Sequence, residues 1–270
     1  MKKIKLLSGF PRAGNTLFSC VLNQNPNIAA TAKSILTDVY YQVLSCKTSP
    51  IYKNFKDENS FNNILKGIHQ NYYKDFNQEY IVERGEWITP FNYNALKKYF
   101  DQDIKIVILV RDIIEIIKSH IKLCNENPNF YFNKDYNNRD KSTMYKSELE
   151  EKCDMIMAKG SYMDLILYSI NHIKKNVPKD QYMFVDYNDL VEKPQETFDK
   201  VYDFYGIPNY KHDFKNIEEL NLNGVTYDDS IFEAPMHKLK SNWEIETYDI
   251  QLPKRVIDKY SGLEIWKTNA

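Results

Sequence analysis

Two glycines and an arginine near the N-terminus form the most informative pattern of this sequence. Gly9 and Gly14 have the GxxxxG spacing of a loop whose backbone N–H groups cradle a phosphate. Asn15 replaces the lysine that follows the second glycine in ATP-binding loops, and Arg12 lies in the middle of the loop. The pattern therefore predicts a site for a phosphate-like anion and disfavours a nucleoside triphosphate. A plain glycine turn is the alternative.

The residues on either side of this loop indicate the elements that would position it. Ile4–Leu7 is an apolar run typical of a short buried strand, and the stretch from Asn15 to Leu22 has the character of a beginning helix. Where a strand, a glycine loop and a helix N-terminus follow one another, free N–H groups and the helix dipole point at an anion. Thr16 adds a hydroxyl that a plain turn does not need.

A second arginine follows the most apolar run of the chain, Ile104–Val110. Arg111 comes directly after this run, and Ser119 lies eight residues further, about two turns along a predicted helix. An arginine at the carboxyl end of a central parallel strand lies where open α/β sheets bind ligands, and its planar guanidinium suits a phosphate. An ordinary salt bridge is the alternative for Arg111. We expect Asp112 to cap the helix rather than to bind a ligand.

Apolar runs and helical patterns alternate along the chain, which indicates βαβ units and a parallel sheet. Strands are predicted at Ile4–Leu7, Tyr80–Val82, Ile104–Val110 and Tyr182–Val185, and helices at Asn15–Gln24, Ile35–Leu44, Ser60–Tyr72, Phe91–Phe100, Ile113–Cys124, Tyr162–Lys175 and Gln195–Tyr205. We expect an α/β, P-loop-type three-layer fold with a central parallel sheet flanked by helices. One domain would span residues 1–270, with an insertion or lid at about 125–150, an irregular stretch at 221–240 and a short helix near 253–260.

Composition narrows the class of protein. The chain has 270 residues, 43% of them hydrophobic, and a net charge of -1, with a mean hydropathy of -0.58. These values allow one large core and exclude a globally basic nucleic-acid binder. Four separated cysteines without metal spacing, and the lack of a leader or a membrane-spanning run, predict reduced thiols in a cytoplasmic protein. We therefore expect neither a nucleic-acid nor a membrane partner, and the sequence indicates no oligomeric state.

In this order and spacing, the motifs resemble those of the sulfotransferases that use 3′-phosphoadenosine-5′-phosphosulfate (PAPS). The family's loop, Pro-(Lys/Arg)-Ser/Ala-Gly-Thr/Asn-Thr, is similar to residues 11–16, and its arginine and serine for the 3′-phosphate are similar to Arg111 and Ser119. A third family feature, a strand with a Tyr-Glu-Asp-Leu-like segment and a Gly-Ile-Pro end, is similar to residues 184–208. The tail at 238–256 resembles that of the tyrosylprotein sulfotransferases, which closes over the 3′-phosphate.

The resemblance implies a reaction and a set of residue roles. PAPS would give its sulfuryl group to a hydroxyl or amine of a small-molecule or peptide acceptor, release adenosine 3′,5′-bisphosphate (PAP), and need no metal. Arg12 would stabilise charge on the bridging oxygen, Arg84 would orient the sulfonate, and Glu83 would accept the acceptor's proton. The residues implied to bind PAPS are Ala13, Gly14, Asn15, Thr16, Arg111, Ser119, Tyr187 on the adenine side, and one of Lys238 and Lys240.

The chain departs from the family at the general base. Small-molecule sulfotransferases have Lys-Thr-His after the second strand, whereas the stretch at 82–87 has no histidine. The protein-tyrosine branch uses a glutamate after its first helix, where residues 27–34 contain no acid. Glu83 and Glu86 are the nearest carboxylates in sequence, and each could instead be a surface acid.

Two other functions remain open at the level of the sequence. A P-loop small-molecule kinase would use Asp112 for Mg²⁺, but nothing supplies its loop lysine. A non-catalytic module that binds an adenosine bisphosphate would keep Arg12, Arg111 and Ser119 and would need no base.

Overall fold

The protein is built around a central parallel sheet. The structure, a computed structural model, describes residues 1–138, 147–228 and 248–267. Its strands are β1 (Lys3–Gly9), β2 (Ile28–Ala30), β3 (Tyr80–Arg84), β4 (Ile106–Val110) and β5 (Tyr182–Asp186), in the order β2-β3-β1-β4-β5. The predicted α/β class with a parallel sheet is confirmed. The edge strand β2 was not predicted, because three residues are too few to form a recognisable apolar run.

Helices connect the strands and cover the sheet. They are α1 (Asn15–Leu22), α2 (Leu36–Ser45), α3 (Pro50–Asn54), α4 (Glu58–Tyr72), α5 (Pro90–Tyr99), α6 (Ile113–Glu126), α7 (Tyr131–Asn137), α8 (Glu148–Ile156), α9 (Tyr162–Asn176), α10 (Tyr187–Glu192), α11 (Pro194–Tyr205) and α12 (Lys254–Tyr260). A short antiparallel hairpin, β6 (Asn221–Leu222) and β7 (Val225–Thr226), lies in the stretch predicted to be irregular. Gly206 ends α11 in the left-handed conformation, with φ 67°.

The segment predicted as an insertion is partly helical in its described residues. It contains α7 and the start of α8, where Ser147 and Glu150 form a capping box. The carboxylate of Asp154 on α8 then accepts hydrogen bonds from Arg255, at 3.0 Å, and Lys259, at 2.8 Å, on α12. The C-terminal helix is thereby fastened to α8. A role of this segment as a lid stays a prediction.

The core lies on both faces of the sheet. Every residue of β4 is fully buried, as expected of a central strand covered by helices on both sides. Cys20, Cys124 and Cys153 are buried free thiols, whereas Cys46 is exposed. Burial raises the pKa of Cys20 to about 12 and that of Cys124 to about 11, so these thiols stay protonated at neutral pH. No described helix is both long and apolar enough to cross a bilayer.

Candidate active site

The loop between β1 and α1 is a tight backbone turn with three positive φ angles in its immediate surroundings. Gly9 has a φ of 153°, and a Cβ there would lie 2.5 Å from the backbone oxygen of Leu109, so only glycine fits beside β4. Arg12 and Gly14 follow in the left-handed region, with φ 62° and 82°. A non-glycine residue in this region is uncommon and costs energy, and such residues concentrate at functional sites.

The loop leads into the N-terminus of α1, where several polar groups have no hydrogen-bond partner among the described residues. Among the described residues, no side chain caps the helix and no acid lies in its first turn. Asn15 Nδ2 donates to the backbone oxygen of Phe10 at 2.7 Å. The Thr16 hydroxyl and the Asn15 Oδ1 atom are buried, with no hydrogen-bond partner in the described part of the chain. An uncapped helix N-terminus beside a buried hydroxyl donor is well suited to hold phosphate oxygens.

The two predicted anion sites meet in the structure. Arg12 Nε donates to the Ser119 hydroxyl at 2.7 Å, and Arg111 Nη1 donates to the backbone oxygen of Arg12 at 2.8 Å. The end of β4 and the second turn of α6 are thus joined to the loop through its arginine. Both guanidinium groups therefore serve one contiguous site, where the sequence had indicated two.

Aromatic rings hold Arg111 in place. Its guanidinium carbon lies 3.9 Å from the ring centroid of Tyr187 and 5.3 Å from that of Tyr248, and Nη1 donates to the Tyr248 hydroxyl at 3.2 Å. Arg111 is 4% exposed, and its Nε has no partner among the described residues. Its described partners are a carbonyl, a phenol and two rings, none of which neutralises its charge. A buried cation in such surroundings is well placed to receive an anion.

Tyr187 connects this arginine to the loop. It opens α10 directly after β5, and a Cβ placed on Gly14 would lie 3.5 Å from its ring. The sequence pattern indicated Tyr187, but it contained no signal for Tyr248, which lies 137 positions from Arg111. The two tail residues implied to bind PAPS, Lys238 and Lys240, lie outside the described residues.

Two neighbours of Arg111 and Ser119 have structural roles. Asp112 is the N-cap of α6, since its Oδ1 accepts a hydrogen bond from the Glu115 N–H at 3.1 Å. His120 Nδ1 lies 3.0 Å from the Ile116 carbonyl oxygen. Burial lowers the pKa of His120 to about 4, so its ring is neutral at physiological pH and adds no charge to the site.

The two candidate carboxylates after β3 have opposite surroundings. Glu83 is completely buried, with Oε2 3.1 Å from His69 Nε2, and His69 Nδ1 in turn lies 3.1 Å from the Tyr40 hydroxyl. Glu86 has a side chain that is 20% exposed. The base role predicted for Glu83 stays a prediction, and its burial disfavours contact with an acceptor.

Arg84 and Gly85 lie at the carboxyl end of β3, on the same side of the sheet as the loop after β1. The Arg84 guanidinium donates to the Ala32 carbonyl oxygen beyond β2. The Gly85 N–H donates to the Leu7 oxygen at 3.0 Å, and the Ser8 hydroxyl donates to the Gly85 oxygen at 2.6 Å. Because β1 runs directly into the loop, these bonds place the residues after β3 beside the anion site. Among the described residues, no cluster of three or more His, Cys, Asp or Glu side chains has the arrangement of a metal site.

A parallel sheet whose central strand leads through a glycine loop into a helix defines an α/β protein of the P-loop type. The chain belongs to the sulfotransferase family: the sequence model described as the sulfotransferase domain matches residues 3–228. Its activity is that of a transferase that moves a sulfuryl group.

Solved structures share this fold. The sulfotransferase domain of the olefin synthase of Synechococcus PCC 7002 is similar with a TM-score of 0.53 and 16% identity, over 100% of this chain and 96% of that one. The sulfotransferase domain from the curacin biosynthetic pathway is similar with a TM-score of 0.50 and 13% identity, over 96% of this chain and 97% of that one. No curated protein matched the sequence.

Proposed function

We propose that this sulfotransferase uses PAPS as its sulfuryl donor and releases PAP. The observation that carries the proposal is Arg111, a buried arginine between two tyrosine rings that is linked through Arg12 to Ser119. This arrangement offers charge and hydrogen bonds for a phosphate group additional to the one that the loop holds. A donor with phosphates at both the 3′ and the 5′ positions would occupy both the loop and the site at Arg111.

A few groups would bind PAPS, and we call them the donor half of the site. Backbone N–H groups of residues 13–16, which include Ala13 and Asn15, and the Thr16 hydroxyl would hold the 5′-phosphate. Arg111 and Ser119 would hold the 3′-phosphate, with Tyr187 on the adenine side. One of Lys238 and Lys240 would complete the 3′-phosphate site, which is a proposal from the sequence pattern alone.

Arg12 has the central role in the chemistry. Its guanidinium would stabilise the negative charge that grows on the bridging oxygen as the sulfur–oxygen bond breaks, while Arg84 would orient the sulfonate. Such fixed charges act mainly on the transition state, because they need no rearrangement when the charge develops. The strained backbone of Arg12, with φ 62°, and its bond to Ser119 hold the side chain in the site beforehand.

The acceptor would be a small molecule or a peptide that offers a hydroxyl or an amine, and the protein would act in the cytoplasm without a nucleic-acid or membrane partner. The segment at 125–150 would contribute to acceptor choice, since loops at the ligand edge of a sheet set specificity. It also precedes α9, whose first residue, Tyr162, contacts Glu86.

Incubation with ³⁵S-labelled PAPS tests the proposal. We expect labelled sulfate to leave the donor, and to appear on an acceptor from a panel of phenols, sugars and tyrosine peptides, with equal rates in EDTA. Transfer from ATP that requires Mg²⁺, with PAPS left intact, would indicate the kinase instead. Tight PAP binding without any consumption of PAPS would indicate the non-catalytic module.

A further inference from the structure

We propose that Glu86 accepts the proton of the attacking hydroxyl. This inference rests on the proposed function, because it assigns a residue to the same reaction. The sequence offered both Glu83 and Glu86 as nearby carboxylates, and the assignment to Glu86 comes from contacts between distant segments.

Hydrogen bonds fix the backbone of Glu86 just beyond the carboxyl end of β3, on the same side of the sheet as the loop after β1. It follows Gly85, which is hydrogen-bonded to β1 through Leu7 and Ser8 immediately before the loop begins. The Glu86 carbonyl accepts from Asn92 Nδ2 at 2.8 Å and from the Thr89 N–H at 3.2 Å. A side chain on such a fixed backbone can keep a defined position relative to the donor half of the site.

The carboxylate itself is held by side chains from two other segments, residues 33–37 and the start of α9. Oε1 accepts from the Tyr162 hydroxyl of α9 at 3.2 Å and lies 3.5 Å from Lys33 Nζ, while Oε2 accepts from the Thr37 hydroxyl of α2 at 3.3 Å. Contacts on both oxygens thus fix the orientation of the carboxylate. Burial, and secondly the charge of Glu86, raise the pKa of Tyr162, so its hydroxyl stays protonated and remains a donor.

Glu83 provides the natural contrast three positions earlier. Its carboxylate lies in the core against His69, with no exposed surface. A base must come within hydrogen-bond distance of the hydroxyl that it deprotonates. Glu86 combines partial exposure with a position two residues beyond the end of β3, whereas Glu83 would have to leave its packed site.

The chemical step balances with Glu86 as the base. The acceptor oxygen forms a bond to sulfur as its proton passes to the Glu86 carboxylate. The bond between sulfur and the bridging oxygen breaks, and its electron pair stays on the 5′-phosphate of PAP. The proton on Glu86 later passes to solvent, to which the side chain is partly exposed.

Water can serve as the acceptor, so the test needs no knowledge of the natural one. We would measure the slow desulfation of ³⁵S-labelled PAPS for the wild type, Glu86→Gln, Glu86→Asp and Glu83→Gln, together with PAP affinity by calorimetry. Glu196→Gln, an exposed glutamate of α11 that pairs with Lys200, is the matched control.

We expect Glu86→Gln to lower the rate about 100-fold or more, as loss of a general base does, with PAP affinity within about twofold of the wild type. Glu86→Asp should recover part of the rate. Glu196→Gln should behave as the wild type. A Glu86→Gln rate within threefold of the wild type, or a loss confined to Glu83→Gln, would overturn the assignment. A wild type that neither binds PAP nor consumes PAPS would instead contradict the proposed function, and the assignment with it.

Discussion

The proposed donor half and the proposed acceptor half of this site lie at the same edge of one sheet and are built differently. The proposed donor half consists of the loop after β1, Arg111 directly after β4 and Ser119 on α6, and hydrogen bonds of Arg12 join these parts. The proposed acceptor half brings Glu86 together with Lys33 and Thr37, from the stretch that enters α2, and with Tyr162 at the start of α9. The first half is a property of the fold, whereas the second is a property of the particular loops. Substitutions should therefore separate cofactor binding from turnover.

The largest effect is expected at Arg12. Arg12→Ala should lower kcat by about 10²–10³, as the loss of one preorganised donor does in other enzymes, and weaken PAP binding much less. Arg12→Lys should recover part of the rate, although it loses the planar guanidinium. Steady-state kinetics with PAPS and calorimetry with PAP make the comparison. Arg255→Ala, which removes an exposed arginine paired with Asp154, is the matched control. Unchanged turnover in Arg12→Ala would place this arginine outside the reaction.

Ser119 should show the opposite pattern, because it would bind the cofactor without touching the reacting sulfur. Ser119→Ala should weaken PAP binding about tenfold, as expected for a hydrogen bond to a charged group, with a smaller effect on kcat at saturating PAPS. Ser169→Ala removes another buried helical serine, whose hydroxyl donates to the Leu165 oxygen, and serves as the control. Equal losses of PAP affinity in the two variants would mean that Ser119 has no special role.

The smallest effect is expected at Tyr162. Tyr162→Phe removes one donor to the Glu86 carboxylate and leaves the ring. We expect kcat for PAPS desulfation to fall about two- to tenfold, the range for one hydrogen bond, with PAP affinity unchanged. If the variant lost PAP affinity instead, Tyr162 would belong to the donor half, and the division between the halves would fail.

The same division explains what could be predicted from the sequence. The GxxxxG spacing and the interval from Arg111 to Ser119 are local, so an apolar strand and a helical period were enough to place them. Tyr248 reaches Arg111 across 137 positions, and no local pattern carries that information. The sequence could not decide between Glu83 and Glu86 for a related reason. Both flank the end of a strand, and only the packing of α4, which brings His69 to Glu83, shows which one is buried.

Arg111 and Ser119 form the proposed place for a 3′-phosphate. Calorimetry that compares PAP with 5′-AMP tests it most directly, since the two ligands differ only in that group. The wild type should bind PAP more tightly by a factor on the order of tens or more, and Arg111→Ala, checked for an unchanged melting temperature, should lose most of this preference. Equal affinities for PAP and 5′-AMP in the wild type would contradict the account.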